Sequence, residues 1–166
     1  ILVHVLDQMM WELLEPQLEQ RRILVWIHGA EIQPWHRRSF NYTTPEEVAA
    51  AKQASEARVA LWKRVLRVQS PNLHLITVSR TLATEIEEDY GVTLSPAQHS
   101  VIHNVIDTEL FRYEPKSVFQ RTKILSIRPF ASRTYANDLA VDAILELSNR
   151  PWFGDLDFHL IGDGAL

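Results

Sequence analysis

Arg22-Ile23-Leu24-Val25-Trp26-Ile27-His28-Gly29 is an apolar run with no polar alternation, closed by glycine. Such a run reads as a short strand buried on both faces, the condition of a strand inside a parallel sheet. Upstream, Ile1 to Leu6 repeats the pattern and is followed by Asp7. Residues 8–20 between the two read as a helix, with Met9, Leu13 and Leu18 on its apolar side and Pro16 ending or kinking it. Downstream, Leu73 to Val78, Ser100 to His103, Lys123 to Ile127 and Asp157 to Ile161 are further strands. Helical patterns separate most of them. In Thr44-Pro45-Glu46-Glu47, an N-cap threonine, a proline at the first helical position and a glutamate at the third form a capping box. Ala50, Ala54, Ala57, Leu61, Val65 and Val68 then follow the spacing of one buried face. Ser79 can cap the next helix and Gly91 end it in the left-handed conformation, while Asn137 or Asp138 can cap a helix running to Asn149. Alternating strands and helices predict an α/β fold of parallel βα units with helices on both sheet faces.

Composition narrows the functions. The 166 residues carry seventeen Lys plus Arg against twenty-one Asp plus Glu, a net charge of −4, with 46% hydrophobic residues. Residues 1–100 hold ten basic and twelve acidic groups, residues 101–166 seven and nine, so no basic arm marks a nucleic-acid binder. Cysteine is absent, which excludes disulfides, thiolate metal sites and thiol nucleophiles. No apolar run approaches the length of a membrane span, and no signal-peptide pattern opens the chain.

In parallel α/β sheets ligands bind beyond the carboxyl ends of strands, so the residues following strands are the candidates. Ser79 opens a helix whose free N–H groups suit a phosphate or carboxylate, or it is simply a cap. His28, Glu31 and His36 follow one strand and offer a proton shuttle or polar contacts, although their spacing matches no metal-helix motif. His99 and His103 have zinc-pair spacing only on a helix, and the β-branched residues between them favour a strand, so no metal site is expected. Residues 30–43 form a long aperiodic loop. Its Trp35, Arg37, Arg38, Phe40 and Tyr42 either recognise an anionic or sugar ligand or cover the core. Arg128 at a strand end and Arg133 five residues on suit a diphosphate, or are two exposed arginines. Gly162-Asp163-Gly164 gives a side-chain-free turn where backbone can approach a ligand.

In order, Val78-Ser79, Val101 to Phe111, Lys123 to Phe130 and Ile161 to Gly164, with the His-Gly segment Trp26 to Glu31, resemble the group 1 (family 4) glycosyltransferases of the GT-B fold over nearly the whole chain. The resemblance implies the latter part of an N-terminal, acceptor-side Rossmann-like domain in residues 1–104 and an interdomain connection in 105–122. The start of a nucleotide-sugar-binding domain would occupy 123–166. It implies transfer of a sugar from a nucleotide-sugar to a glycan or lipid-linked acceptor with retention of configuration. Neither metal nor other cofactor is expected, and the location would be cytoplasmic or peripheral at the inner membrane face. His28 matches the cleft histidine, Arg128 the arginine on the donor diphosphate, and Arg133 the family's lysine. Gly162 and Gly164 fall to the donor side; Glu31, Ser79 and Asn104 fall to the acceptor or cleft side. Two departures stand out: Thr134 follows Arg133 where the family has glycine, and Val105 follows Asn104 in place of another. The family's Glu-x7-Glu pair would lie beyond Leu166, so the chain is expected to be an internal piece, inactive alone. A nucleotide-sugar epimerase of the same fold and a non-enzymatic α/β module for a phosphorylated ligand are the competing readings.

Overall fold

The computed structural model describes residues 1–164 and divides the chain into two compact units, Ile1–Ile106 and Asp107–Leu166. In the first unit, β1 (Leu2–His4), β2 (Ile23–Ile27), β3 (Leu73–Thr77) and β4 (His99–Val101) form one parallel sheet in the order β1-β2-β3-β4. The crossovers contain α1 (Gln8–Leu14), α2 (Pro45–Val65) and α3 (Arg80–Tyr90). In the second unit, β5 (Lys123–Ile127) pairs in parallel with β6 (Asp157–Ile161) around α4 (Asn137–Leu147). Mixed α/β structure with parallel strands is therefore observed. No helix among the described residues is long and apolar enough to cross a membrane.

Strand order corrects one expectation. When neighbouring strands follow chain order and every crossover is right-handed, all the helices fall on the same face. Val3, Ile23, Val25, Ile27, Leu73 and Leu75 form a single core with Trp11 of α1, Leu61, Trp62 and Val65 of α2, and Leu82, Ile86 and Tyr90 of α3. The alternate strand positions, Leu2, His4, Leu24, Trp26, His74, Ile76 and Ser100, occupy the opposite face by the side-chain period of two. The first-unit sheet thus has helices on one face and not on both.

Helix faces differ from the sequence pattern in two places. In α1, Met9 and Leu13 are 70% and 71% exposed, and Trp11 turns inward instead. The α-helix stops at Leu14, before Pro16, and continues as a 3-10 helix over Glu15–Glu19 that buries Leu18. In α2, Ala50, Ala54 and Ala57 are exposed, while Ser55, Leu61, Trp62 and Val65 are buried. Alanine recurs in helices for its propensity as well as for burial, so its spacing is a weak guide to the inward face. The helix ends at Val65, short of Val68. Local chemistry is obeyed more closely. Thr44 forms the capping box with Glu47, Ser79 accepts from the Leu82 N–H, and Gly91 ends α3 at φ 62. The fourth strand begins at His99 and ends at Val101, leaving Ile102 and His103 beyond it.

Candidate functional site

Four strands of the first unit end along one edge, and their last residues meet there. At the end of β1, Asp7 accepts from the Met10 N–H at 2.8 Å and caps α1. At the end of β2, Gly29 takes φ 123, a backbone angle that side chains resist. Its carbonyl accepts from the Ile32 and Gln33 N–H groups, closing a tight turn. Glu31 folds back over that turn. Its Oε1 accepts from the His28 backbone N–H at 2.7 Å, and its own carbonyl accepts from the Trp62 indole N–H at 2.6 Å. At the end of β3, Ser79 Oγ accepts from the Leu82 N–H at 3.0 Å. Past β4, His103 Nδ1 donates to the Val78 carbonyl at 2.9 Å, which leaves its Nε2 as an acceptor. Asn104 follows and is exposed.

The expected grouping of His28, Glu31 and His36 does not form. Glu31 binds the main chain of His28 and not its ring. His36 instead approaches Asp89 of α3, with Nε2 to Oδ1 at 3.2 Å. The ring of His28 has a different neighbour. His4 Nδ1 and His28 Nε2 lie 3.0 Å apart, the rings 5.3 Å between centroids and 27° from parallel. On its other side His4 stacks on Trp26 at 5.6 Å and 19°. His4 is the residue that sequence reasoning missed. Its partner is 24 positions away, and the register His4↔Trp26 between β1 and β2 puts both at the same strand end.

The loop over residues 30–43 is ordered by α3. It contains two short 3-10 turns within Trp35–Asn41 that meet at Arg38. Arg37 Nε donates to both carboxylate oxygens of Asp89 at 3.1 and 2.9 Å, and Nη2 donates to Glu88 at 2.7 Å. Those bonds raise the pKa of a guanidinium that is charged at every ordinary pH. Gln33 also donates to Glu85 at 3.0 Å. For Arg37, the covering role is the observed one.

His99 and His103 do not converge. His99 Nε2 sits 2.9 Å from Thr77 Oγ1, and burial together with the neighbouring His74 lowers its pKa. His103 is bonded to Val78. Among the described residues no group of three or more His, Cys, Asp or Glu is placed to hold a metal ion.

In the second unit, β5 and β6 leave the sheet together. The Arg128 N–H donates to the Ile161 carbonyl at 3.0 Å and the Phe130 N–H to the Asp163 carbonyl at 2.9 Å. A Cβ on Gly162 would lie 2.0 Å from the Arg128 carbonyl oxygen, and one on Gly164 2.2 Å from the Phe130 carbonyl carbon. Both glycines are thus required by the chain's own neighbouring backbone, a nearer constraint than any ligand. Arg128 Nη1 donates to the Tyr135 carbonyl at 2.8 Å, which holds one edge of its guanidinium. Arg133 is exposed and, with Phe130, Ser132, Asn137, Asp138 and Asp142, lines a cleft of about 450 Å³ at the start of α4. Neither Asn137 nor Asp138 is the cap of α4. Ala136 holds that position at φ 51 with no side-chain cap, because the Asn137 amide donates instead to the Pro129 carbonyl at 2.8 Å. The left-handed turn of this segment falls on Ala136, two residues after Thr134.

Compared with family models, with curated proteins and with solved structures, the chain has no significant match in any of the three.

Proposed function

We propose that this chain carries part of a glycosyltransferase of GT-B architecture, which moves a sugar from a nucleotide-sugar to a glycan or lipid-linked acceptor with retention of configuration. The supporting observation is the paired exit of β5 and β6, where glycines 162 and 164 let two loops pack backbone to backbone beside a cleft lined by Arg133. Departure of a nucleoside diphosphate develops negative charge. Guanidiniums fixed near the N-terminal end of a helix stabilise that charge in the transition state. Arg128 has one edge tied to Tyr135 and retains other donors for an oxyanion. Asp138 and Asp142, which line the cleft with Arg133, supply acceptors for ribose or sugar hydroxyls. The cleft thus pairs cationic with acceptor groups, as a ligand bearing both phosphates and hydroxyls requires.

Under this reading the first unit contributes His28 toward the sugar or phosphate, and Glu31, Ser79 and Asn104 to the acceptor or cleft side. Glu31 and Ser79 act there by shaping turns, since both spend a side-chain acceptor on backbone N–H groups.

The test is thermal shift of the full-length protein against a panel of nucleotide-sugars, alongside Arg128→Ala. Stabilisation by one nucleotide class, lost in the variant, supports the assignment through ligand linkage. Turnover should fall about a hundredfold when a charged contact to the leaving group is removed. A variant that folds, binds and turns over like wild type sinks the diphosphate assignment. Epimerisation of a nucleotide-sugar without any acceptor would select the epimerase instead.

A further inference from the structure

His4 and His28 place two imidazole nitrogens, Nδ1 of one and Nε2 of the other, 3.0 Å apart at the carboxyl ends of adjacent strands. From this geometry we infer that the pair is a two-histidine clamp for a late first-row divalent cation such as Zn²⁺ or Ni²⁺.

Four features carry the inference. First, two nitrogens bound to one tetrahedral zinc at about 2.0–2.1 Å stand roughly 3.3 Å from each other. The rings therefore need to part by about three tenths of an ångström and to tilt so that both lone pairs converge on the ion. Second, the ligand type fits: neutral imidazole is a preferred donor for zinc, nickel and copper. Third, His4 is held in place before any ion arrives. Its ring is stacked between the indole of Trp26 and the ring of His28, and the backbone N–H of His28 is tied to Glu31. Fourth, Val5, next to His4, has φ 57. A β-branched residue in that region is strained, and such strain gathers where the surrounding structure dictates an unusual side-chain placement.

Both histidines are exposed, so water can complete the coordination sphere. In the metal-free pair one ring donates its N–H to the lone pair of the other. Binding moves that ring's proton to its far nitrogen, so that both facing nitrogens offer lone pairs to the cation. Two neutral rings accommodate this by a change of tautomer, with no net loss of a proton. The remaining five histidines do not reproduce the arrangement, because His99 is engaged with Thr77, His74 with Ser100, His103 with a carbonyl, His36 with Asp89 and His159 with Asp157.

The test is calorimetric titration of the 166-residue chain with Ni²⁺ and with Zn²⁺, on wild type, His4→Gln, His28→Gln and His103→Gln. Metal-free melting curves establish that each variant is folded. The clamp gives one site per chain, weakened about tenfold or more by either the His4 or the His28 substitution and unmoved by that at His103. Absence of a one-to-one site overturns the inference. So does a site that survives His28→Gln, or one that depends equally on His103. The readout is binding alone, so its failure leaves the glycosyltransferase reading where it was, and failure of that reading does not touch the clamp.

Discussion

Gly91 and Gly162 differ in what a methyl group would meet, and their alanine variants should differ accordingly. Gly91 has φ 62 and nothing within 4 Å of an added Cβ, so Gly91→Ala incurs only the left-handed backbone penalty, about 1 kcal/mol in denaturant unfolding. Gly162→Ala cannot be accommodated without moving the Arg128 carbonyl. It is expected to abolish hydrogen-exchange protection at the Arg128 and Phe130 amides, whereas Gly91→Ala leaves them protected. Tyr90 adds a pH signature. Its hydroxyl donates to the Ile32 carbonyl at 2.5 Å, and burial pushes its pKa up to about 12 from 10. A folded-state pKa above the unfolded value gives stability that is whole below pH 10 and lost as pH rises toward 12. The loss is at most about 3 kcal/mol. In Tyr90→Phe that alkaline step should vanish from a series of urea melts. At this scale the sequence was legible where three or four adjacent residues decide the outcome, as at Thr44, Ser79 and Gly91. It was silent about His4, whose contact with His28 depends on a strand register that neither residue encodes alone.

Elements were legible through their apolar rhythm, and less so where rhythm and burial part company. The strands were read within one or two residues, but Met9 and Leu13 mimic an inward stripe while Trp11 takes the core. A bulky aromatic buries more area than either, and it sets the rotation of a seven-residue helix. The loop over 30–43 shows no rhythm because its order comes from charges on α3, 51 and 52 positions away. The Asp89 side chain is 6% exposed and that of Arg37 25%, so Arg37→Ala leaves a buried carboxylate with His36 alone in place of the guanidinium fork. We expect a loss of roughly 2–4 kcal/mol by urea unfolding. Lys at the same position should restore only part, because it cannot engage both carboxylate oxygens in the fork geometry. Equal stability of Arg37→Ala and wild type would show that the loop is held by packing alone.

Over the whole molecule, burial is uneven. Every buried side chain among the described residues belongs to the first unit, and none between 102 and 164 falls in that class. Ile124, Leu125, Ile127, Leu139, Leu145 and Ile161 of the second unit remain exposed. A two-stranded sheet with one helix has too little interior to hold itself together firmly. Limited proteolysis should therefore cut within 107–164 well before it reaches 1–106, and amides of β5 and β6 should exchange faster than those of β2 and β3. Matching protection in both units would contradict this. Strand alternation made the α/β class readable, but the one-sided helix layer was not, since the order of strands in a sheet is a long-range property.

Trp26 gives the strand-end pair an optical voice. Its indole ring lies against His4, and its N–H is buried with no acceptor. A paramagnetic cation held on an imidazole stacked against an indole quenches its emission, so Ni²⁺ at the proposed His4–His28 clamp should dim Trp26. Trp11 and Trp62, both fully buried in the core, contribute a steady background light. Replacing Trp26 with Phe would remove the indole stacked on His4, leaving Trp35 beside His36 as a separate reporter.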